Sequence, residues 1–193
     1  MMTLKRLSYL VFTGMATISL ASCRQSPAPD HSELDRQASA ISQQFVDTLL
    51  PTLQSAMATG GPTQAIEICS VRAPQIAAEL SDESGWSVRR VSLKPRNLAL
   101  AEPDSWEKEV LEAFDQRQRA GEAGSTIKSS AVVNSEYRFM QAQPVMPLCL
   151  TCHGQIINEE VHSALAAYYP GDMATGYVEG QIRGAISLRT SIP

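Results

Sequence analysis

The sequence predicts an α+β domain, and three observations carry that prediction. Apolar residues recur every three or four positions through two consecutive early stretches, which is the period of amphipathic helix. Short segments rich in β-branched and aromatic residues come later, bounded by turn residues. Helices come first and strands follow with helices between them, without the regular βα alternation of a parallel sheet, so the expectation is long N-terminal helices on a small antiparallel sheet. The length of 193 residues suits one domain with a real core.

The elements follow in chain order. Lys5 and Arg6 precede an apolar stretch from Leu7 to about Leu20. It is short for a transmembrane helix, which needs about 20 apolar residues, and reads as a secretory signal peptide over residues 1–22. The stretch closes on Leu20-Ala21-Ser22-Cys23, a bacterial lipobox pattern in which Cys23 takes the lipid and becomes the first mature residue. Residues 23–31, with Pro27 and Pro29, read as a linker, and residues 32–193 as the domain. From Ser32 to Ala58, Leu34, Ala38, Ile41, Phe45, Leu49, Leu53 and Ala56 form a helical stripe, which Pro51 is expected to kink or break. Gly60-Gly61-Pro62 ends it, and Thr63 begins a second helix. There Ile66, Cys69, Ala73, Ile76 and Leu80 share one face, so Cys69 points inward, and Pro74 is expected to bend the helix. Trp86 to Val91 reads as a strand. Asp104 opens a helix with Glu107 as its capping partner, and Trp106, Val110 and Phe114 as its apolar face. Strands follow near residues 131–133 and 137–143. A helix covers about 158–168, and a last strand 185–189.

Net charge is −4, and removal of Lys5 and Arg6 makes the mature chain more acidic. Arg89-Arg90 and Lys94-Pro95-Arg96 are local clusters rather than a basic stripe, so a nucleic-acid partner is not expected. The expected partners are a membrane, through the lipid, and a redox or signalling protein. A homodimer stays open.

The segment with most chemical content is Cys149-Leu150-Thr151-Cys152-His153-Gly154. It reads C-x-x-C-H, the attachment signature of a c-type haem. Two thiols three residues apart each add to one porphyrin vinyl group, and His153 then presents an imidazole to the iron. A C-x-x-C pair also occurs in zinc sites and redox disulfides. The chain has no second C-x-x-C or H-x3-5-H pair for zinc, and a thioredoxin-like redox motif would want a βαβ context around the pair, so both stay open behind haem. Of the four cysteines, Cys69 is then left single in an oxidising compartment, either as an inert core thiol or as a second iron ligand. Residue chemistry alone leaves that second ligand open between Cys69 and a methionine (Met140, Met146 or Met173), or a vacant or histidine-ligated position. His162 stands too near His153 in sequence to reach the opposite haem face, and His31 lies in the linker. Arg72, three residues after Cys69, is placed to favour a thiolate. Arg89, Arg90, Arg96 and Arg183 are weaker candidates for contacts to haem propionates.

The run Ala65 to Pro74, then Val88 to Lys94 with Arg96-Asn97, Asp104-Ser105-Trp106-Glu107, Cys149 to Gly154 and Gly180 to Ser187 resembles, in order, the Tll-type c-haem domain family. That family was first described in cyanobacteria and also supplies sensor modules to some histidine kinases. The resemblance covers about residues 34–190. It implies a PAS-like α+β fold, one covalent haem c, and an axial pair of His153 and Cys69. Leu98 and Leu100 depart from the family's usual loop, which carries a proline and an asparagine there. The expected function is an exported haem-binding sensor of redox state or small ligands. The alternative is a membrane-tethered mono-haem electron carrier. No acid–base constellation of an enzyme is evident, and Arg24 after the lipidated cysteine favours the outer membrane over the inner.

Overall fold

The structure, a computed structural model, describes residues 31–192. The expected leader, the lipidation site Cys23 and the linker up to Asp30 lie outside the described residues. Among the described residues no helix is long and apolar enough to cross a membrane.

Helix α1 (Ser32–Ser84) runs as two arms that meet at Gly61, where φ is 71° and ψ is −167°. That left-handed φ favours glycine, which lacks the Cβ that makes the region costly. The expected stop at Gly60-Gly61-Pro62 is therefore a turn of direction. Pro51, expected to kink or break the first arm, does not break it, and helix also continues through Pro74. Gly61 is the residue inside α1 with non-helical dihedrals, and both prolines lie within helix. Pro51 leaves the Asp47 carbonyl without an intrahelical donor, but Asp47 is exposed, where solvent can satisfy a carbonyl.

Strand β1 (Ser87–Val91) follows the left-handed cap at Gly85. A one-turn helix, α2 (Leu98–Ala101), was not expected; its four residues are too few to show a period. Helix α3 (Ser105–Arg119) begins with the expected capping box: Asp104 accepts from the Glu107 N–H, and Glu107 accepts from the Asp104 N–H, each at 2.9 Å. Strands β2 (Lys128–Val133) and β3 (Glu136–Pro144) form a hairpin through Asn134-Ser135, both at positive φ. This matches the two-residue turn whose twist suits a hairpin. Then come α4 (Leu150–His153), α5 (Glu159–Tyr168), capped by Asn158, and β4 (Ile182–Ser191).

The four strands pair antiparallel in the order β1-β4-β3-β2. Side-chain alternation splits β3 and β4 between two cores. Tyr137, Phe139, Ile186 and Leu188 pack with Ala38, Ile41, Phe45, Ile76 and Leu80 of α1. Met140, Ala142 and Ala185 pack with Val110, Leu111 and Phe114 of α3. The sheet is thus the middle layer of three, which is why β3 is buried on both faces. A third, smaller core joins Ile66 of the second α1 arm to Val161, Ala164 and Leu165 of α5, with Cys152 against it.

Candidate functional site

The chain enters the Cys-x-x-Cys-His segment through a 3-10 turn, Pro147–Cys149, and runs straight into α4. Helical geometry over this stretch puts Cys149, Cys152 and His153 on one face, at positions i, i+3 and i+4. Gly154 ends the turn. A Cβ there would lie 2.5 Å from the Leu150 carbonyl oxygen, so glycine is required by close approach. The segment 172–177 then folds back over the motif: the Tyr177 N–H donates to the His153 carbonyl and the Gly176 N–H to the Gly154 carbonyl, both at 2.9 Å.

This wrap fixes the imidazole. His153 Nδ1 lies 2.7 Å from the Ala174 carbonyl oxygen. A carbonyl so close requires a proton between the two atoms, so Nδ1 carries it and donates. Arg183 Nε, 3.1 Å from the same nitrogen, then acts as a nearby charge rather than as a donor to it. Burial pushes the imidazole well below its ordinary value, and the Arg183 and Arg96 charges push it further, while the Ala174 bond partly opposes them. The ring is therefore neutral, with Nε2 free of hydrogen bonds to any described residue. A neutral imidazole whose other nitrogen is tied to a carbonyl is the form that ligates a metal.

His153, Cys149 and Cys152 border one cavity of about 480 Å3. Its opposite side is helix α1, and Cys69 lies there, with Phe45, Leu49 and Leu53 of the first arm close by. The inward-facing position expected for Cys69 is the one the second arm gives it. All three described cysteines are free. Burial pushes the Cys69 and Cys152 thiols up. For Cys69, Arg90 and then Arg96 pull the other way; for Cys152, Arg96 does. Among the described residues, no three His, Cys, Asp or Glu side chains converge as a metal cage.

Several expected neighbours of the site are placed elsewhere. Arg72 turns away from Cys69 to pair with Glu79 on its own helix, at 2.6 and 3.0 Å; the cations that face the thiol are Arg90 and Arg96. Arg89 alternates to the α3 face of the sheet, where its guanidinium donates to the Glu102 carbonyl and approaches buried Glu107 at 3.8 Å. It borders the cavity, with one terminal nitrogen of its guanidinium engaged by these partners. Arg96 is bound to Asp172 at 3.2 Å and donates to the carbonyls of Cys152 and Ala174, so it clamps the motif instead of reaching outward. Arg183 donates to Ser92 Oγ at 2.8 Å and to the Lys94 carbonyl at 3.2 Å. Of the methionines, Met146 lines the cavity, Met140 is buried in the α3 core, and Met173 is half exposed. His162 is exposed on α5, and His31 packs its ring 5.2 Å from Tyr137 instead of standing free in a linker. Trp106 lies under the Arg138 guanidinium, on the α3 side of the sheet and away from the cavity. The segment 172–177 was missed because it has neither period nor motif, and Asp172 and the Ala174 carbonyl acquire their roles only when it folds over α4.

A two-arm helix laid across a four-stranded antiparallel sheet, with a Cys-x-x-Cys-His turn closing a cavity between them, defines a class of α+β domain. The chain belongs to the Tll0287-like family, which matches it over residues 25–191. Among solved structures it is similar to the crystal structure of the cyanobacterial heme-protein Tll0287, at 24% identity, with 84% of this chain and 93% of that chain covered and a TM-score of 0.60. This likeness extends to the fold. No curated protein matches the chain.

Proposed function

We propose that the chain is an exported, lipid-anchored protein that binds one covalent haem c and senses redox state or a small ligand through it. The reading rests on one observation: Cys149, Cys152 and His153 border a single cavity with Cys69, which is distant from them in sequence. Its volume is within the range of small-molecule sites, about 300–1,000 Å3. The protein named in the similar structure is a heme-protein, which supports the same reading. Cys149 and Cys152 would hold the porphyrin through its two vinyl groups. His153 ligates through Nε2, held in orientation by Ala174. Cys69, which borders the cavity from α1, would be the second ligand. Bound there, haem supplies one-electron chemistry and an iron position for a small ligand. Cys23 carries the lipid, and the domain faces the periplasm, with the outer membrane favoured.

A thiolate ligand favours ferric iron and holds the potential low. Cys69 lies on the second arm of α1, so its release on reduction or ligand binding frees a helix that also touches α5 through Ile66. That link motivates the sensor over the alternative, a tethered electron carrier, which needs an axial pair that does not change. We assign no enzymatic reaction.

The deciding measurement is ferric electron paramagnetic resonance of the haem-loaded chain beside Cys69→Ser. A low-spin thiolate signal lost in the variant supports His153/Cys69 ligation. An unchanged signal with a methionine-to-iron absorption band makes Cys69 a core residue and the protein an ordinary tethered cytochrome. Carbon monoxide binding to the reduced chain then separates the two functions. Exclusion of the gas with Cys69 still bound rules out ligand-switch sensing.

A further inference from the structure

Four arginines border the cavity, and three have partners. Arg89 is held by Glu102, Arg96 by Asp172 and two carbonyls, and Arg183 by Ser92 and Lys94. Arg90 is different. Its guanidinium makes no hydrogen bond and no ion pair with any described residue, and stands 5.8 Å from the centre of the Phe45 ring. In β1 it shares the α1 face with Val88, so it reaches the cavity from the sheet side while Cys69 borders it from the helix side. Arg90 is half-buried among apolar side chains, and a cation so placed is costly unless a negative charge faces it.

The geometry points to Arg90 as the counter-charge of Cys69 when that sulfur is bound to haem iron, with a guanidinium N–H directed at the thiolate. The inference rests on the haem reading above and adds the residue that governs the Cys69–iron bond. Burial pulls the Arg90 guanidinium below its ordinary value, and Cys69 opposes this more than Tyr169 or Cys149 does. The sign of the consequence follows from charge. Reduction adds one electron, so a fixed positive charge nearby favours the ferrous state over the ferric. A donor on the sulfur also weakens its push of electron density onto iron. Arg90 therefore raises the potential.

The test uses the full, haem-loaded chain, with haem content measured by the pyridine haemochrome spectrum, and compares Arg90→Gln and Arg90→Lys with the unchanged protein. Arg90→Gln is expected to shift the ferric/ferrous equilibrium about tenfold toward ferric, a midpoint lower by about 59 mV for one electron. It is also expected to move the g-values of the low-spin ferric signal. Arg90→Lys keeps the charge and the midpoint but loses the planar fork, so its g-values move as well, and it carries the test should the glutamine variant fail to fold. Haem-loaded variants with unchanged g-values overturn the inference whatever their midpoint, because an arginine paired with a propionate alters potential without touching the axial sulfur. An unchanged chain that takes up no haem overturns the haem reading itself, and this inference with it.

Discussion

At the residue scale, the polar groups that matter are those whose partners come from distant elements. Arg96 and Asp172 are 76 positions apart, and their pair holds the backbone of Cys152. Glu107, 1% exposed, accepts from Ser187 Oγ at 2.7 Å while it caps α3, so one carboxylate ties a helix start to the middle of β4. Tyr137 does the same for the other core: its hydroxyl donates to Asp35 at 2.5 Å, joining β3 to the first turn of α1. Burial first, and then that bond, push the phenol from 10.0 up to about 12. Above pH 10 the unfolded chain releases this proton and the folded chain retains it, so stability falls as pH rises. The contribution is complete below pH 10 and gone above about 12. At about 1.4 kcal/mol per unit the loss is ~2–3 kcal/mol. Chemical denaturation at pH 9 and pH 12 is expected to show a steeper decline for the unchanged chain than for Tyr137→Phe; parallel declines would show that Tyr137 does not carry it.

At the scale of elements, α1 decides where the site lies. Its arms bring Phe45 and Cys69 to the same cavity because the chain changes direction at Gly61. A Cβ at Gly61 would meet open space, so the cost of a side chain there is the backbone conformation alone. Gly61→Ala is expected to destabilise by about 1–2 kcal/mol in urea unfolding. Loss of haem uptake is expected to exceed what that loss of stability explains, because the arm that carries Cys69 is re-aimed. A variant as stable as the parent would mean that the arms set their own angle by packing. Most elements were legible from sequence because their signals are local. The Asp104 and Glu107 box, the stripe ending at Leu80 and the alternation of β1 each act within a few residues. A break at Pro51 does not occur because a lost hydrogen bond is compared with packing that the sequence does not display: Phe45, Ile76 and Leu80 are buried on the sheet, and that burial holds the helix through Pro51 and Pro74.

At the scale of the whole molecule, the sheet is one layer serving two cores, and the cavity opens beside it where α1, α4 and β1 come together. Phe139 is fully buried in the α1 core, while its neighbour Met140 is fully buried in the α3 core. Phe139→Ala is expected to cost about 3–5 kcal/mol. Because β3 joins both cores, the loss should appear as one cooperative transition rather than as selective loosening of α1; two separated transitions by circular dichroism and tryptophan fluorescence would show that the layers unfold independently.

The sequence by itself determined the α+β class, the order of the elements, the Cys-x-x-Cys-His turn and the inward face of Cys69, because spacing along a helix or strand fixes which residues share a side. It also narrowed the arginines to four. Only the tertiary structure decided among them. It turned Arg89 to the opposite face, occupied Arg96 and Arg183, parted Arg72 from Cys69, and brought the Ala174 carbonyl to His153. The physical reason is that a charged side chain is satisfied by whichever partner the fold brings within about 3 Å, and those partners lie up to 91 positions away. Arg90 stands out for the same reason: it is the arginine of the four to which the fold brings no acceptor among the described residues.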